Sequence, residues 1–417
     1  MTGRNARRPQ ADMLDGMPDV TAAQPPKASE EAWKARTLDE AIDWTYDLLD
    51  RAIVQFSTGN ATTTITKGKR AGQVIDYGPR ELAGIFGLYS GGNDSVVTIH
   101  ILRKYMQERA LFRPHFGGIV HVNTGTAVEE TTQHVREAVP AWGMPLHELT
   151  PRVTYLDLVL GNVRSTRGPN IGRSVWVGFP GPASATQSAD GRKQSTPHNV
   201  MYMRLKDQPL QEFRRQRVGR DGVRRKVMYI GGMRWDESDK RFRTAEEIDV
   251  DGGIVWVSPL VHWTNAHMRE YRSRYRCTKN HKHQPHRMCG DEALPWNEVT
   301  EHLHMSGDCA CGAYAKPNEK DERSFFYPSN GKMIDHWEGA VRAAGIAANR
   351  WGQAPPKDFV QTPAGNPAKP VMERLCVGCA PMEGQLDVTD GWLSNGLITA
   401  AQHAILTGTA DQDGDAA

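Results

Sequence analysis

Residues 88–95 read LYSGGNDS, placing two adjacent glycines between two serines with an acid just before the second. At a strand-to-helix turn such a run suits an anion. The first N–H groups of a helix have no intrahelical partners, and glycine lets the backbone approach a phosphate without a Cβ in the way. Ser90 and Ser95 add hydroxyl donors. An ordinary turn with a Ser or Asp cap would need only part of this. The run is neither the phosphate loop with a following Lys-Ser/Thr pair nor the Gly-x-Gly-x-x-Gly dinucleotide fingerprint.

Cysteine gives the second chemical signal. None of the six precedes Cys277, and the last is Cys379. Cys309 and Cys311 lie in HMSGDCACGAYA, Cys376 and Cys379 in ERLCVGCAP. A C-x-C pair and a C-x2-C pair together supply four soft ligands, enough for a zinc or iron–sulfur site. A structural disulfide competes, but a reducing compartment disfavours it. Inert buried cysteine competes too, and the glycines and polar residues around both pairs disfavour that. Cys277 and Cys289 flank TKNHKHQPHRM, which reads as a polar loop; Cys289 is a second-rank ligand candidate.

These residues need a frame. ELAGIFGLY before the glycine turn is a short apolar run of buried-strand type. After the turn, Val97, Ile101 and Tyr105 recur four apart, widened by Val96, Ile99 and Leu102, which predicts a helix. GGIVHVNTG, MPLHEL and KVMYIGG read as further strands, and TAVEETTQHVREAVPAWG as a helix stopping near Gly143. Strands alternating with helices predict an α/β fold with a doubly wound, mostly parallel sheet. Ligands of such sheets sit at the carboxyl ends of the strands, where SGGNDS, NTG and GGMRWDES all fall.

Five segments in order then resemble the phosphoadenosine phosphosulfate (PAPS) reductase family of the PP-loop ATP pyrophosphatase superfamily: SGGNDS, NTGTAVEET, RLKDQPL, GGMRWDESDKR and SPLVHWT, over residues 85–265. The resemblance implies that Ser90, Gly91, Gly92, Asn93, Asp94 and Ser95 hold nucleotide phosphates, with Asp94 helping to hold magnesium. It implies that Thr124 and Gly125 lie against the nucleoside, and that Lys206, Arg234 and Arg241 neutralise phosphate or sulfate. ATP and Mg2+ are the expected ligands. Cations aimed at developing charge are what phosphoryl or adenylyl transfer needs in any case. MSGDCACGA resembles the cysteine region of the branch that includes the DNA-phosphorothioation sulfurtransferase, which favours a four-iron, four-sulfur cluster over zinc on Cys309, Cys311, Cys376 and Cys379.

The chain also departs from the reductases. NVMYMRLKDQPL offers Met201, Tyr202 and Met203 where some of them carry a cysteine pair, and the C-terminal tail has no cysteine. The expected activity is therefore adenylation of an acceptor with pyrophosphate release, serving sulfur transfer from a donor of the cysteine-desulfurase type. The alternatives are a PAPS or adenylyl-sulfate reductase, and a non-catalytic nucleotide-binding or redox-sensing iron–sulfur protein.

At 417 residues the length suits about two domains. The expected division is a disordered tail at 1–36, a nucleotide-binding domain at 37–265, a cysteine-bearing module at 266–395 and a tail at 396–417. No stretch approaches the ~20 apolar residues of a membrane span, and the first twenty residues lack an apolar core, so a cytoplasmic location is expected. A net charge of +2 does not single out a nucleic-acid binder. The basic run RRQRVGRDGVRRK at 214–226 keeps nucleic acid open as a partner, although such runs are more often solvated loops.

Overall fold

The computed structural model describes residues 30–65, 70–109, 115–180, 197–219, 223, 225–237, 245–276, 293–313, 315, 318–346 and 351–352. A short helix α1 (Glu30–Lys34) leads into α2 (Leu38–Ser57), which starts where Thr37 and Glu40 cap each other. The Thr37 N–H donates to Glu40 Oε2 at 2.7 Å and the Glu40 N–H to Thr37 Oγ1 at 3.3 Å, satisfying two otherwise orphan donors. Strands β1 (Asn60–Thr64) and β2 (Val74–Pro79) form an antiparallel pair.

Alternation of strand and helix then begins, with β3 (Glu81–Leu88), α3 (Asn93–Glu108), β4 (Phe116–Val122), α4 (Glu129–Ala141), β5 (Leu146–Leu149) and α5 (Tyr155–Val159). Helix α6 (Pro197–Tyr202) runs through one π turn, Met203–Asp207, into α7 (Gln208–Arg217). Next come β6 (Arg225–Ile230), β7 (Ile248–Asp251), β8 (Ile254–Val257) and α8 (Asn265–Arg274). The back part contributes α9 (Glu298–Leu303), α10 (Glu319–Phe326) and α11 (Pro328–Ala343).

The main sheet has the order β5-β4-β3-β6-β8-β7, parallel throughout except for β7 on the edge. Its strands follow the two-residue period of a sheet covered on both faces. Ile85, Ile119, Met228, Ile230, Val255 and Val257 point into one core with α2, α3, α4 and α8. Their neighbours Phe86, Val120, Val227, Tyr229 and Ile254 point into another with Leu210 and Phe213 of α7. The predicted doubly wound α/β architecture is therefore the one observed. The turns after β3, β4, β5 and β6 all leave from one edge.

Three placements add to the sequence reading. Within residues 30–36, Trp33 is 1% exposed, and its ring meets Trp235 edge-on at 5.9 Å. Across the expected boundary at 265/266, Met268 and Tyr271 of α8 belong to the main core. Beyond it, Ile334, Trp337 and Val341 of α11 pack with Tyr155, Leu158 and Trp176, and Val299 packs with Val128. The described back part is a cover on the front part, built from apolar faces that neither could bury alone. Finally, the basic run is not a continuous loop. Arg214, Arg215 and Arg217 end α7, where the helix dipole favours cations. Arg225 pairs with Glu81 at 2.7 Å, and Lys226 donates to the Gly252 carbonyl at 2.6 Å. Residues 1–29 and 396–417 lie outside the described residues.

Because Trp33 fills a closed pocket with Trp235, Ala245 and Val261, Trp33→Ala should lower unfolding free energy by about 3 kcal/mol. Urea denaturation checks this; a loss under about 1 kcal/mol would mean the N-terminal segment is not docked as described.

Candidate functional site

The glycine turn joins β3 to α3. Gly91 holds a φ of +77°, a conformation that side-chain-bearing residues rarely adopt. Helix α3 starts with no side chain capping it, so no protein side chain competes for its first N–H groups. The two serines face each other with Oγ atoms 3.1 Å apart, and Ser95 Oγ donates to the Gly92 carbonyl at 2.9 Å. Asn93 opens the helix beside them.

The glycines also serve a purpose the sequence reading missed. A Cβ on Gly92 would stand 2.8 Å from Ser306 Cβ, and one on Gly91 would stand 2.9 Å from Thr131 Cγ2. Asn297 Nδ2 donates to the Gly91 carbonyl at 2.8 Å. The absent side chains thus let the segment from 297 to 311 close over the turn.

Asp94 and Arg234, both picked from sequence, are brought together. Arg234 Nε lies 3.2 Å from Asp94 Oδ2, and Arg234 is 3% exposed. Its Nη1 donates to Asn265 Oδ1 at 3.1 Å and to the Trp263 carbonyl at 3.4 Å. The guanidinium therefore braces the metal-binding candidate Asp94 against the start of α8. Asp94 keeps 27% of its side-chain surface exposed, which leaves its carboxylate accessible to a hard cation such as magnesium.

Lys206 forms the second centre. Its Nζ donates to Asp308 Oδ2 at 2.6 Å, joining the π turn to the covering segment. Ser306 Oγ donates to the other oxygen, Asp308 Oδ1, at 2.5 Å. Burial alone would lower the Lys206 pKa, but Asp308 and the sulfurs of Cys309 and Cys311 raise it above its ordinary value. Burial likewise works against the Asp308 carboxylate, and Lys206 with the Ser306 hydroxyl brings it below its usual range. Both groups are therefore charged at neutral pH.

Cys309 sits next to this pair. Its thiol is brought down to about 6, first by the hydrogen bond from Cys311, then by the Lys206 charge and the Thr126 hydroxyl, against the effects of burial and Asp308. Thr126 Oγ1 donates to Cys309 Sγ at 3.7 Å and accepts the Ala310 N–H at 3.0 Å. Cys311 is pushed up as the proton-holding partner, and its carbonyl accepts from Tyr155 Oη at 2.9 Å. Thr124 Oγ1 lies 2.8 Å from Thr126 Oγ1 and donates to the Asp308 carbonyl at 3.1 Å. Thr124 is buried while Gly125 is exposed. The NTGT turn thus anchors the cysteine segment, and only Gly125 of the expected nucleoside contacts is open.

His121, at the end of β4, was missed. Its Nδ1–H donates to the Tyr89 carbonyl at 2.8 Å, which leaves Nε2 as an acceptor, buried and without a hydrogen-bond partner. Burial holds the ring below its ordinary pKa, with Asp308, Glu148 and Lys206 as its charged neighbours. Asp308 and Ser306 were also missed, although they stand within three residues of Cys309 in SGDCAC.

Arg241, Cys277, Cys289, Cys376 and Cys379 lie outside the described residues. Among the described residues no group of three or more His, Cys, Asp or Glu is placed to hold a metal ion. The described half of the expected four-cysteine set is engaged with Lys206, Thr126 and itself, so these contacts supply no metal geometry.

Residues 84–155 match the phosphoadenosine phosphosulfate reductase domain family. Among solved structures, the chain is similar to a phosphoadenylyl-sulfate (PAPS) reductase from Candida auris in a phosphate complex, with 14% identity, 63% of this chain and 89% of that chain covered, and a TM-score of 0.32. No curated protein matches the chain.

Thiolate character at Cys309 has a direct readout. Alkylation by iodoacetamide should show a pH midpoint below the ~8.5 of a free cysteine. Cys311→Ala and Lys206→Met should each move the midpoint upward. A midpoint that stays put in both variants would show that neither contact sets the thiolate.

Proposed function

We propose that this chain, which carries a PAPS reductase-family domain at residues 84–155, is a nucleotide-dependent sulfur-transfer enzyme with Cys309 as its sulfur-bearing thiolate. The observation that carries this reading is the placement of Cys309: its Sγ accepts from Thr126, it directly follows Asp308 of the Lys206 ion pair, and it lies on the segment that closes over the glycine turn. A nucleophile next to an anion site is what acyl-like or phosphoryl activation followed by sulfur attack requires.

In this reading ATP is a substrate, held by its phosphates at the uncapped start of α3 with Ser90 and Ser95. Magnesium, which Asp94 would hold, would supply charge neutralisation on the leaving pyrophosphate. An acceptor oxygen attacks the α phosphorus and the bond to pyrophosphate breaks. A persulfide on Cys309, loaded from a donor of the cysteine-desulfurase type, then displaces AMP from the acceptor, forming an acceptor–S–S–Cys309 link. Cys311 gives up its proton and attacks Cys309 Sγ. This releases the acceptor thiolate and leaves a Cys309–Cys311 disulfide, which an external dithiol reduces. Lys206 lowers the cost of negative sulfur throughout, and His121 Nε2 is an acceptor in reach of the same charged cluster.

The same thiolate supports a second reading, reduction of a sulfonucleotide. There Cys309 attacks the sulfate sulfur, the S–O bond to the nucleotide breaks, and Cys311 expels sulfite as the disulfide forms. The tail without a cysteine does not exclude this, because the site provides its own pair.

Products separate the two. Labelled ATP should yield pyrophosphate and AMP, and PAPS or adenylyl sulfate with a dithiol should yield no sulfite. Cys309→Ser should lower turnover on the order of 10³-fold while ATP affinity stays within twofold of wild type, a nucleophile's signature. Asp94→Asn should reduce pyrophosphate release about 100-fold or more. Sulfite formation that depends on Cys309 would establish the reductase, and full turnover by Cys309→Ser would eliminate both readings.

A further inference from the structure

Beside the candidate site, on the β5 side of the same sheet edge, lies a cleft of about 430 Å³ lined by polar and charged residues. Four arginines line it, Arg152, Arg167, Arg204 and Arg215, together with the hydroxyls of Ser165 and Thr166. They come from four separate stretches: the turn after β5, the loop that follows α5, the π turn and the last turn of α7. Arg204 stands two residues before Lys206 in that π turn, so one short segment supplies a cation to the cleft and another to the thiolate centre.

The charge balance is one-sided. Glu212 is the single carboxylate of the lining, and it is taken by Arg152, whose Nε donates to Oε2 at 2.8 Å and whose Nη2 donates to Oε1. Arg167, Arg204 and Arg215 pair with no carboxylate among the described residues. Arg167 and Arg215 are exposed and Arg204 half-buried. Three guanidiniums converging without counter-charge favour an anion with several oxygens, and their forked donors match phosphate. The volume falls in the ~300–1,000 Å³ range of whole-ligand pockets, larger than one phosphate group needs.

We propose that this arginine cleft binds a run of phosphates on the acceptor, which positions that molecule next to Cys309. The assignment rests on the sulfur-transfer reading of the adjacent site, and the phosphates recognised are those of a nucleic-acid strand or of a second nucleotide. Electrostatic contacts of this type position a chain without reading its sequence.

The test uses the full chain and two probes, a short fluorescent single-stranded oligothymidylate and MgATP, with Arg167→Glu and Arg215→Glu. Both residues are exposed, so the fold should survive, and circular dichroism with Cys309 alkylation verifies that. Each variant should weaken oligothymidylate binding about tenfold or more and reduce its log–log salt slope by about 1. With MgATP affinity unchanged, the phosphates belong to a strand. Weakening confined to MgATP instead assigns the cleft to a nucleotide's phosphates. Unchanged affinity for both probes in both variants, or a wild-type chain that binds no oligothymidylate while its MgATP affinity is insensitive to the cleft, overturns the proposal. Cys309→Ser separates it from the catalytic reading: turnover lost with probe binding retained leaves the cleft standing, and turnover retained removes the thiolate role without touching it.

Discussion

The 2.6 Å ion pair between Lys206 and Asp308 is the contact on which the rest of the site depends. Its partners are 102 residues apart in sequence and lie on different parts of the fold, the π turn and the covering segment. Removing two charges from water costs more than their attraction returns unless other groups share the load. Here Ser306 donates to the carboxylate, and the Cys309 sulfur supplies a second negative partner for the ammonium. A pair held in this way can shift the pKa of a third group, and Cys309 is that group.

The closure of the cover explains why two cations chosen from the sequence act so differently. Arg234 is sealed under the first turn of α3 with its charge spent on Asp94 and the entry to α8. Lys206 keeps 28% of its side-chain surface exposed and faces the sulfur centre. A buried guanidinium fixes geometry, whereas a partly exposed ammonium beside a thiolate tunes reactivity. The family-matched segment, 84–155, contains the glycine turn and the NTGT turn but neither Lys206 nor Cys309. In the proposed reading the nucleotide would face the family-matched half, and the sulfur chemistry would come from residues outside it.

The cleft beyond Arg204 extends the same logic of separated charge. In the proposed arrangement helix N–H groups and hydroxyls would hold one anion and guanidiniums the other, so two ligands would not compete for the same donors.

The sequence by itself determined the α/β class, since apolar runs alternating with amphipathic helices can satisfy their backbone and bury both faces only as a covered parallel sheet. It also determined the glycine turn, because close approach of backbone to a helix start restricts which residue types can stand there. The Thr37–Glu40 cap is legible as well, a Thr three residues before a Glu at a helix start. What only the tertiary structure decided is everything that depends on distant segments meeting. Trp33 is ordered because Trp235 and Val261 wait for it. Gly92 is small because Ser306 comes from 214 positions later in the chain to lie on it. Cys309 and Cys311 are the described half of an expected four-cysteine set. Their surroundings, an ammonium, a threonine hydroxyl and each other, are set by long-range packing, and a pKa is a property of surroundings and not of spacing.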